Sequence, residues 1–368
     1  MPIYMDRHEI PNDLKAEHVA QMHQEDLKVQ HLFGCKGMTY WCDEKRRTAF
    51  CLIEAPNKEA IQEMHNHAHG DLPHSIIEVN ESLVESFLGR MEDPVDQNGE
   101  AVQVINEPAY RVIMVIEISN YLDRVEADQY SLFIQKFHNS ASKTIAKFNG
   151  SVVRNNNNNY LVSFESVSDA VHCALKMQFK FKYVTPKGSF MKRKLDLALT
   201  VGMPVTDNTG LFQEGISLAT RMCEILRFPL VISSEVKTMF ENENRNAVID
   251  KNTIRTLSPS EEKFITQMMD YTEAHWKNQS FNVATFSTAL GYSKSQLYRK
   301  LKHLTGKSPN LFIREFRLHR ALDLLHNQAG NISEIAYETG FNSPTYFSKC
   351  FYEKYGILPS KYLQQHTY

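Results

Sequence analysis

The stretch FNVATFSTALGYSKSQLYRKLKHLTGKSP, Phe281–Pro309, decides the fold of the carboxyl-terminal third. A short helical segment ends at the break Gly291–Tyr292, and Ser293 is placed to cap a second helix. Leu297, Leu301 and Leu304 fall at i, i+4 and i+7, giving that helix one apolar stripe; Lys294, Ser295, Arg299 and Lys302 occupy its other faces. The pattern then repeats in NISEIAYETGFNSPTYFSKCFYEKYG, Asn331–Gly356, with Gly340 at the break and Ser343 as cap. Pro344 takes the first helical position, where a missing N–H has no partner to lose. Between the units, NLFIREFRLHRALDLLH, Asn310–His326, reads as one helix about 25 Å long at 1.5 Å per residue. A helix, a glycine turn and a second helix with basic exposed faces make the helix-turn-helix pattern. A stiff connector would place two such helices in neighbouring major grooves of double-stranded DNA, about one turn apart.

SKSQLYRKLKHLTGKSP, FIREFRLHRALDLL and IAYETGFNSPTYFSKCFYEKYGILPSKY together resemble the AraC family of bacterial transcription regulators, over roughly residues 260–363. Leu363 stands where members of that family often carry Arg, which would remove one phosphate contact. By position, Ser295, Tyr298 and Arg299 are expected to face base edges from the first unit, and Thr345, Ser348 and Lys349 from the second. Lys294 and Lys302 are expected on phosphates, as are the amides at the helix starts beside Ser293 and Ser343. The resemblance implies a sequence-specific regulator rather than an enzyme.

Charge is distributed to match. The 368-residue chain has a net charge of only −2, yet Lys294–Arg320 holds eight Lys/Arg against one acid, Glu315. Glu81–Glu107 is the reverse, with seven acids against Arg90, and reads as a solvated linker. Apolar residues at 42% and charged residues at 23% are those of an ordinary globular chain. The six cysteines form no CxxC pair, the start MPIYMDRHEIP lacks signal-peptide regions, and no apolar run is long enough to span a membrane. A cytoplasmic location without membrane partners is expected.

In the middle, GSVVRNNNNNYLVSFES (Gly150–Ser166) places five asparagines, Asn155–Asn159, between two strand patterns, which predicts a hairpin. VIEISNYL, FNGSVVRNNNNNYLVSFESVSDAVHCALKMQ, LTVGMPV and EGISLATRMCEI resemble the catalytic domain of class III nucleotide cyclases, over about 110–240. That family holds two divalent ions on two aspartates. Here the resemblance puts Glu117 at the first and Asn158, an uncharged amide, at the second. Ser217 falls on the family's transition-state asparagine, and Arg221 on its retained arginine. The implied module is degenerate, with a nucleotide or other small ligand as an alternative effector and weak cyclase activity the least expected outcome.

Eight of the 15 histidines lie in the first 82 residues. His65 and His69, four apart on an expected helix, share a face, a spacing that suits two imidazoles on one metal. His8 ends the first strand and Cys51 lies in the third; imidazole with thiolate suits Ni²⁺, Zn²⁺ or Cu. YMDRH, HQEDLKVQHLFG, TYWCDE, AFCLIEAP and MHNHAHG resemble a small ferredoxin-like family known as nickel-binding. The candidate ligands are His8, Cys51, His65 and His69, with His23 next; Tyr40–Trp41 reads as core or dimer interface.

The expected fold class is therefore α+β and multidomain. A ferredoxin-like βαββαβ domain (1–82) is followed by an acidic linker (83–108) and a cyclase-like α/β sandwich (109–245). A second linker (246–259) leads to an all-α domain with two helix-turn-helix units (260–368). Expected partners are double-stranded DNA, a transition-metal ion or small-molecule effector, and a second copy of the chain.

Overall fold

The computed structural model describes residues 1–95, 104–120, 127–156, 158–184, 193–207, 210–226, 228–245 and 249–365. The first domain runs β1 (Ile3–Glu9), α1 (Ala16–Val29), β2 (Lys36–Asp43), β3 (Thr48–Glu54), α2 (Lys58–Ala68) and β4 (Ser75–Val79). Its sheet has the order β2-β3-β1-β4, every neighbouring pair antiparallel, which matches the expected βαββαβ sandwich. Strand alternation divides its side chains. Tyr4, Tyr40, Cys51 and Ile53 pack with residues of α1 and α2, whereas Met5, Trp41, Phe50 and Leu52 join a different cluster on the opposite face.

That second face is covered by the rest of the chain, beginning with α3 (Glu81–Leu88). Here the linker reading fails: residues 83–88 are helical, and Val84, Phe87 and Leu88 are buried. Asn80 caps the helix by accepting from the Leu83 amide, and a Val/Phe/Leu stripe hides among acids whose charges face solvent. Acidic composition concealed an amphipathic turn.

The middle domain consists of β5 (Arg111–Asn120), α4 (Ala127–Lys147), β6 (Ser151–Asn155), β7 (Asn159–Phe164), α5 (Val167–Val184) and β8 (Arg193–Gly202), then α6 (Gln213–Ile225), β9 (Leu230–Ile232), α7 (Ser234–Glu243) and β10 (Arg255–Thr256). The sheet order is β10-β9-β8-β5-β7-β6. Within it, β8-β5-β7-β6 repeats the strand order of the first domain, and β9 and β10 add parallel strands at one edge. Residues of α4, α5 and α7 cover one face, on Val112, Met114, Ile116, Val162 and Leu197. The other face, through Ile113, Val115 and Ala198, packs on α6. Gly215 permits that close approach, since a Cβ there would lie 3.0 Å from the Gly202 Cα. β10 falls inside the second expected linker, so part of that linker is also sheet.

The helical third comprises α8 (Pro259–His275), α9 (Val283–Ala289), α10 (Lys294–Thr305), α11 (Pro309–His326), α12 (Ile332–Glu338), α13 (Pro344–Tyr355) and α14 (Pro359–Gln365). Ser258, Asn282, Ser293, Ser308, Asn331 and Ser343 each cap the helix that follows with a side-chain oxygen. Among the described residues, no helix is long and apolar enough to cross a membrane.

Candidate metal pocket and nucleic-acid interface

Strand alternation sets Asp6 and His8 on the helix-facing side of β1, opposite Cys51 of β3. From α2 and its C-cap, His65 and His69 project toward Asp26 of α1. Donor atoms of Asp6, His8 and Cys51 lie within 4.8 Å of one another, as do those of Asp26, His65 and His69. The two groups meet where His65 Nε2 stands 2.9 Å from Asp6 Oδ2. His65 Nδ1 is 3.1 Å from Asp26 Oδ1 and 3.3 Å from His69 Nε2. The Cys51 amide donates to Asp6 Oδ1 at 3.0 Å, which fixes that carboxylate. A cavity of about 30 Å³, room for one ion or one water, is lined by all of these donors except Asp6.

Electrostatics fit a divalent cation. Burial works to lower the His8 pKa, but the charge of Asp6 and hydrogen bonds to Asp6 and Asp71 outweigh it and lift the value to about 9. For His65, burial is outweighed by hydrogen bonds to Asp26 and Asp6, giving about 10. Asp6 sits well below the carboxylate range because the His8 charge and the two imidazoles overcome its burial. Two imidazolium protons thus balance two buried carboxylates. One divalent ion replacing both protons leaves the pocket's charge unchanged, and His8 Nε2, buried 3.4 Å from Asp6 Oδ1, is placed to share that ion with the carboxylate. Burial and Asp6 push the Cys51 thiol far up, so its thiolate needs a cation beside it.

Of the five candidate ligands, His8, Cys51, His65 and His69 come together. His23 lines the cavity, but its Nε2 is 2.9 Å from Asp93 Oδ2, and it belongs to neither donor group. Asp6 and Asp26 were missed by the reading of the sequence. Asp6 was legible, since it is two residues before His8 on one strand face; Asp26 was not, because only the packing of α1 on α2 brings it to His65. Tyr40 and Trp41 are both core, 2% and 0% exposed.

In the helical third, Leu297, Leu301 and Leu304 are buried as expected, and Phe347, Cys350 and Phe351 fill the same role in α13. Lys294, Ser295, Tyr298, Arg299, Lys302, Thr345 and Lys349 are exposed; Ser343 and Ser348 are half-buried. Ser343 accepts the Tyr346 amide at 3.3 Å, and Lys302 Nζ donates to the Gly306 carbonyl at 2.9 Å, closing its own helix. Gln296, Arg299, Lys300 and His303 line a shallow surface pocket on α10.

Residues 286–365 match the family model described as a helix-turn-helix domain, and residues 4–79 match the one described as nickel responsive protein SCO4226-like. Histidine kinase P4 of Formosa agariphila is 41% identical over 112 residues, which is 30% of this chain and 8% of that one. The HTH-type transcriptional regulator MtrA of Neisseria gonorrhoeae is 31% identical over 101 residues, 27% of this chain and 32% of that one. The carboxyl-terminal segment is an AraC-type helix-turn-helix domain. The crystal structure of SCO4226 from Streptomyces coelicolor is 32% identical, with a TM-score of 0.20, covering 21% of this chain and 94% of that one. The chain thus spans at most a third of the length of these two curated relatives.

The AraC-type domain is tied to the middle domain through residues that the sequence had assigned elsewhere. Arg221, aligned with a cyclase arginine, donates to Asp270 at 2.7 Å and Glu273 at 2.8 Å, both on α8. Ser217 accepts from the Gln213 side chain. Glu117 pairs in register with Asn159 and Asp196; burial, then Glu224 and Asp196, push its pKa to about 7. In the hairpin, Asn156 Oδ1 accepts the amides of Asn158 and Asn159, and the Asn158 carbonyl accepts the Ile118 amide. Asn157 lies outside the described residues. These asparagines build a turn.

Proposed function

We propose that this chain is a transcription regulator whose AraC-type domain binds double-stranded DNA and whose amino-terminal domain binds a transition-metal ion, nickel foremost, as its effector. The observation carrying the DNA reading is the pair of capped helices, α10 and α13, each with a buried stripe and exposed Lys or Arg. The observation supporting the metal reading is the pair of three-donor groups around one small cavity. Asp6, His8, Cys51, Asp26, His65 and His69 would hold the ion, whose charge would order α1 and α2 against β1 and β3. Imidazole with thiolate favours a borderline ion over Mg²⁺.

The middle domain is read as a cyclase-like scaffold that transmits rather than catalyses. On the β7 side Glu117 pairs with Asn159 of the asparagine hairpin, where the resemblance would place a second metal-binding aspartate, and Arg221 is committed to α8. The division into three domains and a homodimer belong to the same proposal.

The test is fluorescence anisotropy of the full chain on a duplex selected from a random pool, at one salt concentration, with and without stoichiometric Ni²⁺. Salt must be fixed because phosphate contacts make affinity steeply salt-dependent. A metal-dependent shift that chelation reverses is expected. Selected binding with no shift removes nickel as the effector and leaves the regulator. Replacing Arg299 by Ala is expected to relax preference at one base position, at a cost of about 1–3 kcal/mol. An unchanged binding profile removes Arg299 from the interface.

A further inference from the structure

The two recognition helices can be compared position by position, because Ser293 and Ser343 each cap their helix by accepting the amide three residues on. One residue beyond the cap stand Lys294 and Pro344; seven beyond stand Lys300 and Cys350. Three, six and nine beyond, residues one turn apart on a single ridge, are Gln296, Arg299 and Lys302 in α10 but Tyr346, Lys349 and Tyr352 in α13. Four cations and no acid on the first helix thus face two cations and one acid on the second. Of those two, Lys354 is held 3.0 Å from Glu315, and the acid is Glu353. On α10 the contacts of Lys300 and Lys302 are with aromatic rings and a carbonyl, so neither charge is cancelled.

What α13 offers is more aromatic surface, two exposed rings against the single Tyr298 of α10, 47% exposed. Tyr346 is 51% exposed and Tyr352 54%, while the apolar neighbours Phe347 and Phe351 are fully buried. Two large exposed rings on either side of one exposed lysine are not core.

We propose that the two units engage DNA by different physics: α10 supplies the phosphate-neutralising, salt-dependent affinity, and α13 adds contact through Tyr346 and Tyr352 with little charge. This inference rests on the DNA-binding reading. Its placement in the molecule agrees, because the charged unit is the docked one. Arg255 of β10 donates to the Leu304 carbonyl at the end of α10, and Leu297, Leu301 and Leu304 share a cluster with the middle domain. The second unit has a separate core around Leu318, Phe347 and Phe351.

The experiment is a KCl series of duplex affinities with the full chain, on a selected duplex and on a random one. The variants are Lys294→Gln with Lys302→Gln, and Tyr346→Ala with Tyr352→Ala. The lysine pair is expected to lower the slope of log affinity against log salt by about 2, at roughly 0.9 per phosphate contact, on both duplexes. The tyrosine pair is expected to lose about tenfold or more on the selected duplex with the slope unchanged, consistent with stacking and packing contacts. Unchanged circular dichroism melts establish that both variants fold. A tyrosine pair that flattens the slope as the lysine pair does overturns the proposal, as does one that binds the selected duplex at full strength. A wild-type chain that binds no duplex overturns the DNA-binding reading itself.

Discussion

Asp6 shows how one residue organises a site. Its two oxygens reach His65 and His8 while the Cys51 amide pins it, so an amide in its place leaves a buried imidazolium without its counter-charge. Asp6→Asn is expected to abolish stoichiometric Ni²⁺ uptake by the full chain, as is His65→Ala with His69→Ala; retained uptake in calorimetry by the histidine pair would sink the assignment of α2. Glu117 gives a prediction of different kind. Its pKa in the fold, about 7, lies above the ordinary 4.5. The group therefore adds nothing unfavourable below pH 4.5, and its stability contribution is lost as pH rises through 7. Glu117→Gln should remove that slope and stabilise the chain at pH 8 by on the order of 2 kcal/mol. Urea midpoints at pH 5 and pH 8 measure it, and a variant with the wild-type pH slope would refute the burial argument. His8, His65 and Cys51 were visible in the sequence as residue types in a suggestive spacing. Asp6 was legible only through its strand alternation with His8, and Asp26 was not, because an Asp among many surface acids carries no mark until the fold buries it.

At the scale of elements, α11 is more than a spacer. Arg317 donates from Nε to the Trp276 carbonyl at 2.9 Å and from a terminal nitrogen to the Asn278 carbonyl at 2.7 Å, holding α11 to the end of α8. Gly340 lies against the same place with φ of 80°, and a Cβ there would stand 2.6 Å from the Trp276 carbonyl. Glycine is thus required twice, by backbone conformation and by space. Gly340→Ala is expected to destabilise the domain by about 2 kcal/mol or more, from left-handed strain and the displaced carbonyl together. A melt within error of wild type would show that α12 and α13 can shift to absorb it. Glu315, the single acid in the basic stretch, takes Lys307 at 2.8 Å and Lys354 at 3.0 Å, and so links the two units across α11. Helix periodicity, caps and breaks were all legible in this third because they are local. In the acidic segment the helix α3 was missed, since its apolar face is short and its partner is a distant sheet.

At the scale of the whole molecule, one apolar cluster runs from Met5 and Trp41 of the first sheet through Phe87 of α3 and Ile113 of β5. It continues through Met222 of α6 to Phe264 of α8 and Leu297 of α10. Polar ties follow the same route, with Arg46 3.1 Å from Glu235 and Arg221 on Asp270 and Glu273. A packed interior has few intermediate arrangements, so a change in the first domain has a continuous path to the first recognition helix. Arg221→Ala is expected to leave Ni²⁺ stoichiometry and basal duplex affinity within about twofold while reducing the metal-induced shift several-fold. An undiminished shift in the anisotropy assay would exclude this contact as a route.

By itself, the sequence determined what is written in local spacing: two helix-turn-helix units, the βαββαβ order of the first domain, and the asparagine turn. Each follows from periodicities of two or 3.6 residues and from caps and breaks a few positions away. Only the tertiary structure decided which residues meet across that spacing. It gave Asp6 and Asp26 to the histidines, drew His23 to Asp93, and turned Arg221 from a cyclase-like position into a clamp on α8. Those pairings depend on which face of one element packs against another, and burial then sets which charges must be matched.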